Sequence, residues 1–185
     1  MIEPILHKAE EKMKTSVDIL KRELSGVRTG RASPALVENV RVDYNGVPTP
    51  MNHIANVSVS GTSLLVIQPW DHAILGGIEK AILKANIGLT PSSDGNVIRL
   101  SIPPLSEERR TELTKMVRKM TEDQKVAIRN IRRDAIEELK KLEKNKDISQ
   151  DDLKRGEGKL QKLTDSFVGT IDDFENAKAA ELKQV

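Results

Sequence analysis

Leu113, Val117, Met120, Ile128, Ile131, Ala135, Leu139 and Leu142 recur at helical spacing, and Ser106 ahead of Glu107 and Glu108 supplies a plausible N-cap with acids in the first turn. Together they predict one helix of close to 40 residues, a rod of about 60 Å at about 1.5 Å per residue. A stripe that long needs partners of comparable length, and the chain supplies two.

In the first, Leu6, Met13, Leu20 and Val27 recur every seven residues, with Val17 and Leu24 completing the face. Pro4 falls in the first turn, where a missing N–H costs little, and the helix is expected to end near Gly30. The other starts at Ser149, where Ser149-Gln150-Asp151-Asp152 resembles a capping box with Asp in place of Glu. Leu153, Leu160, Phe167 and Phe174 follow at intervals of seven, with Leu163 and Ile171 beside them. Gly156 and Gly158 interrupt this helix at about 1 kcal/mol each relative to alanine, and nothing in the sequence explains them. Three amphipathic segments, the last two joined by a short KNKDI turn, predict an elongated antiparallel three-helix bundle.

Between the first two helices the texture changes. VENVRVDYN, NHIANVSVSG, SLLVIQPW and NVIRLSI are β-branched runs bounded by NG, SG and DG turn signals. HAILGGIEKAILKAN is the one helical stretch among them, with Asp71 as candidate N-cap and Gly88 just past its end. The prediction is an α+β chain: residues 1–30 and 105–185 form the bundle, and residues 31–104 form a small inserted β/α/β domain. The chain crosses between them twice, near Thr29-Gly30-Arg31 and near Pro103-Pro104-Leu105, and two short crossings suit a hinge.

Composition removes several function classes. The absence of cysteine excludes disulfides, thiolate metal sites and thiol nucleophiles. The N-terminal MIEPILHKAEEKMK lacks an apolar run of signal-peptide length, and no run approaches the roughly 20 residues that span a bilayer, so a soluble cytoplasmic protein with no membrane partner is expected. His7, His53 and His72 lack ligand spacing, and there is no phosphate-cradling glycine loop, nucleophile elbow or paired-acid signature. No catalytic residue, metal or cofactor is assigned.

Charge is more informative in its placement than in its sum of +2. Residues 31–104 balance five basic against five acidic residues, whereas residues 105–147 carry thirteen against ten. On the long helix Arg118, Lys125, Arg129, Arg132, Arg133 and Lys140 fall within about 100° of one another and about 120° from the apolar stripe. Ile136 shares that face. Two readings fit: a solvated, salt-bridged face, or a nucleic-acid surface. The preference for arginine at its centre favours the second, because a guanidinium fork grips two phosphate oxygens at once and stacks on bases. Aromatics are only 2% of the chain, too few for a platform that stacks single-stranded bases. Arg28 and Arg31 either extend this surface or cap a helix C-terminus.

RTGRASPAL, VDYNGVP, IQPWD with EKAI, NIGLTP, IPPLSEERR and AIRNIRRDA, in that order, closely resemble the bacterial ribosome recycling factor family, and KDISQDDLK and QKLTD continue the likeness. The motifs run from about Val27 to Asp165, and only their combination is specific. The resemblance implies a three-helix bundle with an inserted β/α/β domain, set at an angle into an L shape like that of a transfer RNA. It also implies an activity: with elongation factor G and GTP, splitting the ribosome after termination and releasing messenger RNA and transfer RNA, without hydrolysing nucleotide itself.

By the same resemblance Arg129, Arg132 and Arg133 of AIRNIRRDA match the family residues that grip large-subunit ribosomal RNA near the peptidyl-transferase region, Arg132 foremost, and Lys125 shares their face. The resemblance also implies that Arg28 and Arg31 of RTGRASP match a second RNA-contacting group at the bundle tip and hinge, and that the inserted domain is the moving part against which elongation factor G pushes. A monomer is expected. Two features depart from the family: Tyr44-Asn45-Gly46 where two tyrosines often precede the glycine, which favours a tighter turn, and the Gly156 and Gly158 pair.

Overall fold

The computed structural model describes residues 1–183. It is an α+β chain whose contacts divide it into two compact units, residues 1–27 with 111–183 and residues 28–110. Thr29, Gly30, Arg31, Pro103, Pro104 and Leu105 all belong to the second of these.

The first unit is built on α1 (Ile2–Ser25), α4 (Glu107–Lys144) and α5 (Gln150–Lys183). On α1 the buried positions Ile2, Leu6, Ala9, Met13, Val17, Leu20 and Leu24 step by three or four, as one helical face requires. Lys8 Nζ lies 3.1 Å from Glu138 Oε1 and Lys159 Nζ 2.7 Å from Glu3 Oε1. The start of α1 thus sits beside the end of α4 and the start of α5, and α4 runs antiparallel to both.

The sequence-derived end of α1 is corrected. The helix stops at Ser25, and the Gly26 N–H tightens the last turn by donating to the Arg22 and Glu23 carbonyls. Gly30 is a left-handed residue, φ 77°, in the connection beyond. On α4 the buried stripe passes through Thr121 rather than the half-buried Met120. Thr121 Oγ1 lies 2.9 Å from the Arg118 carbonyl and 3.0 Å from Glu175 Oε2, and Thr164 Oγ1 donates to the Leu160 carbonyl at 2.8 Å. Both buried hydroxyls have local partners, so each occupies a core position at little cost.

The α5 start is a reciprocal capping box: the Asp152 N–H donates to Ser149 Oγ at 3.0 Å and the Ser149 N–H to Asp152 Oδ2 at 3.2 Å. Lys146, at φ 65°, takes the left-handed position of the turn from α4.

The second unit contains α2 (Ala35–Glu38), β1 (Arg41–Tyr44), β2 (Val47–Pro50), β3 (Ala55–Ser60), β4 (Leu64–Pro69), α3 (Leu75–Lys84), β5 (Pro91–Ser93) and β6 (Ile98–Ser101). β1 and β2 form a two-stranded ribbon; the others form a four-stranded antiparallel sheet in the order β3-β4-β6-β5. Asn45 and Gly46, at φ 53° and 83°, join the ribbon through the left-handed two-residue turn that matches strand twist. Leu65 and Ile67 of β4 alternate inward with Ile98 and Leu100 of β6, and all four are fully buried with Ile78 and Ile82 of α3. Each such side chain contributes on the order of 1.5–3 kcal/mol relative to exposure.

Two elements escape the sequence pattern. α2 is a single turn behind Pro34, and β2 reads Val-Pro-Thr-Pro, whose prolines are tolerable only because the ribbon has just one partner strand. Asp71 accepts from the Ala73 N–H at 3.0 Å and so caps a 3-10 turn, His72–Ile74, rather than α3 itself, which starts at Leu75 without a side-chain cap. The following helix ends at Lys84 rather than near Gly88, with Asn86 left-handed at φ 50° and Gly88 in the loop beyond.

Candidate nucleic-acid interface

The structure resolves the basic face of α4 into two rows. Arg118, Lys125 and Arg132 are seven residues apart and fall within about 40° of one another, on the side that meets α5. Arg129, Arg133 and Lys140 lie further round by up to about 100°, towards solvent.

Each member of the inner row has a partner on α5. Arg132 Nη1 donates to Gln161 Oε1 at 2.8 Å, Lys125 pairs with Asp172, and Arg118 Nε stands 4.0 Å from Glu175 Oε1. Lys125 is largely enclosed, with its side chain 15% exposed. The hydrogen bond from Lys125 to the Asp172 carboxylate holds the ammonium pKa above the ordinary lysine value, against the opposing effect of burial. Arg132 is half-buried in the α4–α5 groove.

Exposure does not follow the two rows: the Arg118 side chain is 76% exposed, whereas Arg129 is half-buried. Arg129 Nη1 reaches Glu122 Oε1, one turn-pair earlier, at 3.4 Å, and its side chain remains 43% exposed. Arg133 and Lys140 are exposed. The ridge expected from the sequence is therefore divided: Lys125 and Arg132 are drawn against α5, Arg118 and Arg129 stand beside carboxylates, and Arg133 and Lys140 are exposed. Ile136, on the same face by sequence, is half-buried and packs against the cluster of Ile2, Leu6, Ala9, Ala135, Leu139 and Leu160.

Arg28 and Arg31 belong to the other unit. They line, with Gly30, Pro103, Pro104 and Leu105, a cavity of about 170 Å³. A Cβ on Gly88 would come 3.4 Å from Arg28 Nη1, so the left-handed Gly88 turn, φ 76°, packs under that guanidinium. Residues of both expected crossing segments thus line one cavity within the second unit, and Arg28 and Arg31 are gathered there.

Sequence reasoning missed the α5 side of the interface, namely Gln161, Asp165, Asp172 and Glu175. The available signal was their position: they flank the apolar stripe of Leu160, Thr164 and Ile171, where polar side chains commonly bridge to a neighbouring helix. Among the described residues, no group of three or more His, Asp or Glu could hold a metal ion, and no helix is long and apolar enough to cross a membrane.

A family model described as ribosome recycling factor matches residues 20–182. The ribosome-recycling factor of Dehalococcoides mccartyi strain CBDB1 is 60% identical over 185 residues, covering 100% of both chains. That of Carboxydothermus hydrogenoformans is 52% identical, again over 185 residues and 100% of both. A solution structure of the ribosome recycling factor matches with a TM-score of 0.81 at 42% identity, covering 100% of this chain and 98% of that one. A second solved structure, with a TM-score of 0.69, 42% identity and 98% coverage of each chain, is the T. thermophilus ribosome recycling factor, described with the E. coli elongation factor G bound to the E. coli post-termination complex. With identity sustained from end to end and the same two-unit α+β content, this chain belongs to the ribosome recycling factor family.

Proposed function

We propose that this protein works with elongation factor G and GTP to split post-termination ribosomes into subunits, freeing messenger RNA and transfer RNA, and that it holds large-subunit ribosomal RNA near the peptidyl-transferase region through the basic face of α4. Family membership supports the first statement, as does a neighbour described together with elongation factor G on a post-termination complex. The observation that carries the second is the exposed Arg133 and Lys140 with half-buried Arg129 and Arg132 beside them, three guanidinium forks and an ammonium on one long helix. Lys125, tied to Asp172, contributes mainly to placing the row.

Arg28 and Arg31 add a second RNA contact, and the chain segments around Thr29-Gly30-Arg31 and Pro103-Pro104-Leu105 act as the hinge. The bundle is the anchor, the inserted unit is the arm that elongation factor G displaces, and that displacement breaks the bridges between subunits. The factor supplies positioning and force transfer. Nucleotide hydrolysis belongs to its partner. It acts in the cytoplasm, where its substrate is.

The test follows polysomes stalled after termination through a sucrose gradient, with elongation factor G, GTP and either the parent or an Arg129→Ala/Arg132→Ala/Arg133→Ala variant of unchanged helix content. Breakdown by the parent alone supports both statements. Breakdown by both proteins keeps the recycling function and removes the grip from α4, and breakdown by neither rejects the recycling function.

A further inference from the structure

We propose that Gln161 and Asp165 of α5 are positioning residues for Arg132, fixing its guanidinium in the direction that meets an RNA phosphate; this rests on the reading of the α4 face given above. Arg132 Nη1 donates to Gln161 Oε1 at 2.8 Å, and Gln161 Nε2 in turn donates to Asp165 Oδ1, also at 2.8 Å. The three side chains form a relay across the α4–α5 groove.

What separates Arg132 from its neighbours is the charge of its partner. Lys125 is held by the Asp172 carboxylate, Arg118 stands against Glu175, and Arg129 against Glu122. A carboxylate orients a cation but also neutralises it, and it competes with an incoming phosphate for the same donors. An amide oxygen orients without neutralising. It occupies one of the five guanidinium N–H groups and leaves the full positive charge and the remaining donors for a ligand.

An amide has two ends, however, and only the oxygen accepts. Turned round, Gln161 would present N–H groups to the N–H groups of Arg132. Asp165, an acceptor only when ionised, draws the Nε2 end towards itself and so commits the oxygen to Arg132. Asp165 therefore acts through Gln161, one helical turn away on α5. Gln161 and Asp165 are exposed, so substitutions there leave the bundle core untouched.

The experiment measures binding to vacant large ribosomal subunits across a salt series for Gln161→Leu and Gln161→Glu, each in the parent and in an Arg132→Ala background. Gln161→Leu keeps the charge constant and removes the acceptor. It is expected to weaken binding by a factor of roughly two to ten, the entropy of re-immobilising one long side chain, with the salt slope unchanged. Gln161→Glu places a carboxylate on Arg132 and is expected to reduce the slope of log affinity against log salt by about one, as Arg132→Ala does. Neither effect on Arg132 is expected to survive in the Arg132→Ala background. Equal losses in both backgrounds, or a Gln161→Leu variant that binds as tightly as the parent while Arg132→Ala does not, overturn the relay. Full binding by Arg132→Ala itself rejects instead the assignment of Arg132 to RNA, and the relay with it.

Discussion

Gly156 of α5 faces Leu139 of α4 so closely that a Cβ built on the glycine would come 2.7 Å from Leu139 Cδ1, and Leu139 is itself fully buried. The glycine lets two long helices approach just beyond their connecting turn. Gly158, two residues on, has nothing within 4 Å of the same position. Two glycines that cost the helix equally in propensity thus differ entirely in packing.

We predict opposite effects for their replacement. Gly158→Ala recovers helix propensity and stabilises by about 0.5–1 kcal/mol. Gly156→Ala forces Leu139 off its rotamer within a closed core and costs about 1–3 kcal/mol, partly offset by the same gain in propensity. Denaturant unfolding of both variants decides it. Equal stabilisation by the two substitutions would remove the packing role assigned to Gly156.

The turn between β5 and β6 carries its own pH signature. The Asp94 carboxyl is lowered to about 2 by the N–H groups of Val97 and Asn96 first and by the Arg99 guanidinium after them. Its folded pKa lies below the ordinary value of 3.8, so its contribution to stability is present above that value and is lost as pH falls towards about 2. We predict that Arg99→Ala leaves most of this depression in place, because the backbone donors remain. An NMR titration of the Asp94 side chain reads it, and a return to the ordinary value in Arg99→Ala would assign the effect to the ion pair instead.

Lys125 behaves with the opposite sign. Its pKa is raised in the folded chain by the hydrogen bond to Asp172, so the stabilisation is complete below the unfolded value of 10.5 and is lost as pH rises through the folded one. Asp172→Asn is expected to cost roughly 0.5–1 kcal/mol at neutral pH, a modest figure because Asp172 is half open to solvent. It is also expected to reduce the extra loss of stability in strong alkali, the Glu175 and Glu122 carboxylates still acting on Lys125. Urea titrations of parent and variant at neutral and alkaline pH test both parts.

The outer row predicts a count. If Arg133 neutralises one phosphate, Arg133→Ala lowers the salt slope of large-subunit binding by about one, and Arg129→Ala, whose guanidinium faces the Glu122 carboxylate, lowers it by less than one. Lys125→Ala, whose ammonium is already paired, is expected to change that slope by much less. Binding across a salt series separates these outcomes, and a slope indifferent to both arginines would return the row to simple solvation.

The local elements were legible in the chain because each rests on interactions between residues near in sequence. The stripes of α1, α4 and α5, the Ser149–Asp152 capping box, the Asp71 cap and the Asn45-Gly46 turn all follow from spacing and backbone preference. Helix ends were less so. Gly30 and Gly88 looked like stops, yet both serve left-handed turns in the loops beyond, while α1 ends earlier without a left-handed residue and α3 ends earlier on left-handed Asn86.

The sequence by itself determined which residues are cationic and that they share one side of a long helix, since about 100° per residue suffices for that. Only the tertiary structure decided which of them remain outward. The docking of α5 draws Lys125 and Arg132 into a groove, gives one a carboxylate and the other an amide, and leaves Arg133 and Lys140 in solvent. It also turned an unexplained Gly156 into the point where α5 closes on Leu139. Helical periodicity is a property of one segment, whereas burial, pairing and close approach depend on the second helix, whose distance and rotation no single stripe encodes.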